Sequence, residues 1–219
     1  KKYIIIIFLT LSFNSTASTG LHLNAKEDMI IDPGMYWAIL ARNELQDLKK
    51  KSNKSKRKKF MQKLRLSASY GFKPAMQAIS AIYQNGDYGF EKDLTLAYSW
   101  LVMAHGKTNK TNNSQFFYLK EKLSEEDLKQ SNLIVEELNV LFGREATFQK
   151  FRRWYADTTT TLGTKLAPGV NTFLNVSLFT KSGKRITAFE INSQLKQMYY
   201  QHQSEYYNII QNEIVPVDN

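Results

Sequence analysis

The chain has no cysteine in 219 residues. That absence excludes a disulfide framework, thiol catalysis, zinc-finger chemistry and a lipid-modified bacterial N-terminus. Histidine is almost as scarce, with only His22, His105 and His202. No two of them stand at metal-ligand spacing. His22 lies near the start. His105 ends an apolar helical stretch, where a cation would suit the helix dipole. His202 stands between Tyr199 and Tyr206 and reads as a packed or surface residue. The serines and threonines form no nucleophile elbow, and Gly163 and Gly169 form no phosphate-cradling loop. The acidic cluster Glu125, Glu126, Asp127 is accounted for as a helix start. Acidic residues are outnumbered, 20 against 30 Lys and Arg, for a net charge of +10. A basic chain favours an acidic partner or surface. Catalytic, metal and cofactor chemistry therefore find little support.

What is present can fold. Apolar residues make up 42% and aromatics 13%, enough for a core in one ordinary domain or two small ones. The apolar run from Tyr3 to Phe13 follows Lys1 and Lys2. It is short for a membrane span and fits the apolar region of a signal peptide. Ser15-Thr16-Ala17 offers a cleavage site, and Leu23-Asn24-Ala25 offers a second. Residues 1–17 are therefore expected to be a signal peptide, with cleavage as late as 25; an uncleaved anchor is the alternative. Export without cysteine fits a bacterial periplasm.

The most informative stretch runs from Ala68 to Gly106. Ala75, Ala78, Ile79, Ile82 and Tyr83 fall on one helical face. A helix is expected from about Pro74 to Gln84, ended by the turn chemistry of Gln84-Asn85-Gly86-Asp87. Asp93 is placed to cap a second helix, whose stripe is Leu96, Ala97, Trp100, Leu101 and Ala104. Alanines at 75, 78, 97 and 104 allow two antiparallel helices to approach closely.

The ordered set Gly71, Ala75, Ala78, Tyr83, Gly86, Gly89, Asp93, Ala97, Trp100 and Ala104 resembles a Sel-1-like repeat, a relative of the tetratricopeptide repeat. Ala81 or Ser80 stands where that pattern has a Gly, and the turn from Gly86 to Gly89 is one residue longer. The resemblance covers under a fifth of the chain. Residues 32–71 are similar to a degenerate preceding repeat, with Asp32-Pro33 starting a helix that runs to about Lys50. The basic run Lys49, Lys50, Lys51, Lys54, Lys56, Arg57, Lys58, Lys59 then reads as an inserted loop. It is either a solvated connection or a docking patch for an acidic protein or anionic lipid. It lacks the interleaved aromatics of a nucleic-acid site.

Lys107 to Ser114 is a polar linker. Ser124 begins a capped helix that Gly143 ends, expected to cover the repeats. Phe148, Phe151, Trp154 and Tyr155 form an aromatic stripe suited to core packing. Thr158 to Thr161, Gly163, Pro168 and Gly169 read as loop. Phe173–Phe179 and Arg185–Ile191 read as a β-hairpin about Lys181-Ser182-Gly183-Lys184, followed by a helix from about Asn192.

The expected class is mainly α: a short α/α-repeat solenoid over residues 26–143, with a C-terminal helix, β-hairpin and helix over 144–219. Sel-1-like proteins act as adaptors or binders. Some are periplasmic immunity proteins that neutralise effectors of type VI secretion. The resemblance thus implies an exported protein-interaction module that occludes an acidic partner, with peripheral membrane contact through the basic segment and no cofactor. The alternative is an envelope scaffold or regulator that binds a cell-wall enzyme or membrane component. Enzymatic activity on cell wall or β-lactam belongs to cysteine-rich members, which this chain does not match.

Overall fold

The computed structural model describes residues 23–24, 29–105, 114–161, 177–179 and 185–214. The expected leader through His22, the linker 107–113, the loop about Gly163 and Gly169, Phe173–Val176 and the turn 181–184 lie outside the described residues. The described chain is mainly α-helical. Two-residue strands β1 (Leu23–Asn24) and β2 (Met29–Ile30) pair antiparallel. Helices α1 (Pro33–Lys50), α2 (Lys54–Ala68), α3 (Lys73–Asn85) and α4 (Leu94–His105) follow. Then come α5 (Ser114–Lys122), α6 (Glu125–Phe142) and α7 (Arg144–Thr161). Strands β3 (Ser177–Phe179) and β4 (Arg185–Thr187) form an antiparallel pair, Leu178 opposite Ile186, before the long α8 (Ala188–Ile214).

Helix starts follow side-chain chemistry. Asp32 Oδ1 accepts from the amides of Gly34 at 2.8 Å and Met35 at 3.2 Å, satisfying two of the donors that a helix start leaves open. Asp93 accepts from Leu96 N at 2.8 Å. Ser124 and Asp127 form a reciprocal capping box.

The helices pack as antiparallel hairpins, α1 on α2 and α3 on α4, joined by α2 against α3. Helix α6 packs on α4. The α1–α2, α3–α4 and α4–α6 crossings each use small residues and a buried serine hydroxyl. Ser67 donates to the Gly34 carbonyl at 2.6 Å between α2 and α1. A Cβ on Gly34 would sit 2.9 Å from Phe72 Cβ, too close for any side chain. Ser80 donates to the Ala97 carbonyl at 2.7 Å between α3 and α4. Ser99 of α4 faces Ser131 of α6, with its hydroxyl 3.2 Å from the Ser131 carbonyl and 2.8 Å from that of Thr95. All four serines are fully buried. A buried hydroxyl needs a partner, and here the neighbouring helix provides one. Around these crossings pack Phe60, Leu64, Met76, Ile79, Trp100 and Phe142.

A second core forms where α7, β4 and α8 meet the ends of α1 and α2. Phe151, Trp154, Ile186, Ile191 and Leu195 bury against Tyr70, with Trp37 beside them. The aromatic stripe of α7 thus packs on α8: Phe148 stacks on Tyr206 at 4.5 Å, and Tyr155 lies 4.7 Å from Tyr199.

Three expectations need correction. The basic run is not a long inserted loop, because only Lys51, Ser52 and Asn53 separate α1 from α2. Asn53 caps α2 by accepting from Lys56 N at 2.9 Å, so the helix begins six residues before Phe60. Thr158 to Thr161 end α7 rather than forming a loop. Thr158 is buried, and Thr159 bonds the Tyr155 carbonyl at 2.9 Å, so packing overrides weak propensity. The second strand stops at Thr187, and α8 starts at Ala188 rather than Asn192. Thr187 and Glu190 make a capping box: Glu190 N donates to Thr187 Oγ1 at 3.2 Å, and Thr187 N donates to the Glu190 carboxylate at 2.7 Å.

Replacing Ser80 separates hydrogen bonding from close approach. Ser80→Ala should cost about 1 kcal/mol. Ser80→Leu should cost about 3 kcal/mol or more by forcing α3 from α4. Urea unfolding followed by circular dichroism measures both, and equal losses would contradict the crossing geometry.

Candidate functional site

The ten repeat-pattern residues build the α3–α4 hairpin. Ala75, Ala97, Trp100 and Ala104 are buried, and Ala78 and Tyr83 pack partly buried against the same core. Gly86 ends α3 at φ 75°, and Gly89 ends the following turn at φ 79°. Both lie in the left-handed region that glycine tolerates best. The extra turn residue, Tyr88, is also left-handed at φ 58° and sets its ring edge-on to Phe60 at 5.7 Å. Tyr83 offers its carbonyl to Asp93 N at 2.9 Å, closing the turn. Gly71 (φ 82°) lies against Thr147 of α7. Ser80, one of the two residues of α3 at which the pattern departs, is fully buried and bridges to the Ala97 carbonyl of α4.

The eight cations form a tip rather than a loop. Lys49 and Lys50 lie in the last turn of α1, where cations suit the dipole. Lys54, Lys56, Arg57, Lys58 and Lys59 begin α2, whose first turn holds no acid. Two of the eight are committed to packing. Lys56 Nζ donates to the Asp47 carbonyl at 3.1 Å, and Arg57 lies so close over Gly89 that a Cβ there would collide with it. Lys49, Lys50, Lys51, Lys54, Lys58 and Lys59 are exposed. The Lys50–Asp47 pair, at 4.0 Å and largely exposed, offsets little of this field.

A separate cleft of about 820 Å³ opens where α3, α4 and the α6–α7 junction meet α8. Met76, Met103 and Phe142 line it with apolar surface, while Lys73, His105 and Tyr206 add polar groups. His105 Nε2 pairs with Gln77 Nε2 at 2.9 Å. Burial, and then the charge of Lys73, push the His105 pKa down. The neutral imidazole is therefore favoured, not the cation expected at a helix end. Tyr206 donates to Glu145, joining α8 to α7 across the cleft edge. That bond, and then the one from Gln149, hold the Glu145 carboxyl below its usual range.

Beside the cleft, α8 is fixed to the start of α1. His202 Nε2 lies 2.7 Å from Asp32 Oδ2, and the imidazole stacks on Phe151 at 3.8 Å. His202 is thus a packed residue that closes a contact 170 positions long. The same Asp32 caps α1, a double use that spacing alone does not reveal.

Lys150 was not singled out by sequence pattern. It donates to Ser69 and stands 4.5 Å from the Tyr70 ring centroid. Burial, and secondarily Arg153, push its pKa down to about 8. The only sequence signal is a lysine within two residues of the buried Phe148 and Phe151. Among the described residues no group of three metal-ligating side chains forms, and no helix is long and apolar enough to cross a membrane.

No protein-family model, curated protein or solved structure matches the chain.

The Lys150 environment gives stability a defined pH dependence. The unfolded chain keeps this proton to about 10.5 and the folded chain only to about 8. Between those values folding releases a proton, so the stabilising contribution of Lys150 grows as pH rises and is lost as pH falls through about 8. The melting temperature of wild type relative to Lys150→Met should therefore climb between pH 7.5 and 10. A constant difference would show that Lys150 is fully hydrated.

Proposed function

We propose that the chain is a protein-interaction module built from Sel-1-like helical hairpins as a short α/α solenoid. In this reading it is an exported, periplasmic binder that occludes the active site of a toxic effector delivered by type VI secretion. The ordered repeat pattern supports the module, because its members fall at the α3–α4 crossing and its turn. The N-terminal apolar run and the lack of cysteine support export. The observation that carries the binding role is the open cleft between the helical array and α8. It combines an apolar lining of Met76, Met103 and Phe142 with polar Lys73, His105 and Tyr206. Half-buried, flexible Met103 suits contact with a protein surface, and polar groups around a floor formed by the edges of the core residues Met76 and Phe142 give orientation. The basic tip adds long-range attraction for an acidic partner. Inhibition by occlusion needs no catalytic group on this chain.

Affinity capture from the native envelope tests the reading. One stoichiometric partner with toxic enzymatic activity, inhibited by the chain, is expected. Lys73→Glu with Tyr206→Ala should weaken the complex by about tenfold or more. Reversing Lys50, Lys54 and Lys58 should chiefly slow association and reduce its salt dependence. Capture of a cell-wall enzyme or membrane component would instead favour an envelope scaffold. Absence of any partner would contradict both.

A further inference from the structure

The helical array ends in two open faces. Helix α1 packs on α2 through Ala41 and Leu48 and turns its opposite side outward. That side exposes Met35 and Ile39 near its start, then Arg42, Lys49 and Lys50. Helix α6 packs on α4 through Ser131, Val135, Leu138 and Phe142. Its far side exposes Leu133 at mid-helix and Val140 and Leu141 near its end, with Glu136 and Glu137 between them and Glu125 and Glu126 at its start. Val140 is 73% exposed, unusual for an apolar residue within a packed array. Helix α7 does not cover this face. After Gly143 it turns back, placing Thr147 against Gly71 and Lys150 against Ser69.

The two faces match when run antiparallel. Met35 to Lys49 and Leu141 to Glu126 each span about 22 Å at helical rise. With Met35 opposite Leu141, Lys49 and Lys50 meet Glu126 and Glu125, and Arg42 lies within a turn of Glu136 and Glu137, while Ile39 falls opposite Glu137 and Leu133 opposite Arg42. One cation, Lys129, interrupts the acidic face within a turn of Glu125 and Glu126. A parallel arrangement would instead place lysines on Val140 and Leu141 and bury charge without partners. The antiparallel relation is also that of α2 to α3 within the chain.

We propose that the outer face of α6 binds the outer face of α1 of a second copy of this chain, continuing the helical array in trans. The contact is heterologous, because two different surfaces meet. Growth past a dimer is therefore expected unless the rotation closes a ring. This proposal rests on the two faces and not on the effector-binding reading, and purified chain alone tests it.

Sedimentation velocity of the purified chain over a concentration series should show mass that rises beyond one copy and falls with added salt. Glu126→Lys with Glu136→Lys, and separately Arg42→Glu with Lys49→Glu, should each weaken association by about tenfold or more. Mixing the two variants should restore it, since each then meets its complementary charge. All four positions are exposed, so folding should persist. If circular dichroism shows that a variant unfolds, Leu133→Ser with Val140→Ser replaces it and should weaken association likewise. A wild-type chain that stays monomeric throughout would overturn the proposal. So would association unchanged by these substitutions, or variants that fail to recover on mixing.

Discussion

The structure depends on how closely its helices can cross. Ser67, Ser80 and Ser99 each place a fully buried hydroxyl at a helix crossing and direct it to a carbonyl of the neighbouring helix. Gly34, Ala97 and Ser131 opposite them leave room for that approach. A larger residue at any of these positions would separate the backbones, while a small apolar one would lose the tether. The constraint explains why α1 to α4 and α6 pack as one layered array around Trp100 and Ile79.

That array does not close on itself. Its cleft exists only because α7 turns back toward Tyr70 and α8 runs beside it to reach Asp32. Aromatic stacking of Phe148 on Tyr206 and Phe151 on His202, together with the Asp32–His202 contact, holds α8 there. Local order at the cleft is therefore coupled to contacts between the two ends of the described chain. In the proposed function, binding surface and C-terminal docking form one unit.

Much of the mainly α architecture was legible in the sequence. The spacing of Ala75, Ile79 and Ile82, the caps Asp32, Asp93 and Ser124, and the stop at Gly143 placed four helices within a few residues. Propensity failed where tertiary packing or a cap overrode it. Four threonines ended a helix because Thr158 was buried, and the last four residues of the expected second strand, Ala188 to Ile191, joined α8 because Thr187 and Glu190 capped it. Basic composition suggested a loop where Asn53 instead started a helix. The cleft was not legible, because Lys73, His105, Phe142 and Tyr206 converge only through the turn after Gly143. The serine tethers were hidden for a related reason: a buried serine and a surface serine look alike until the opposing carbonyl is known.

Hydrogen exchange resolved by peptide gives the most direct test. If α7 and α8 dock on the array as one unit, their amides should exchange with the same opening free energy as those of α2, α3 and α4. His202→Ala should then lower protection in α8 and at the start of α1 together. Exchange of α8 at the rate of an isolated helix, with the array still protected, would contradict the docked arrangement and remove the cleft on which the functional reading stands.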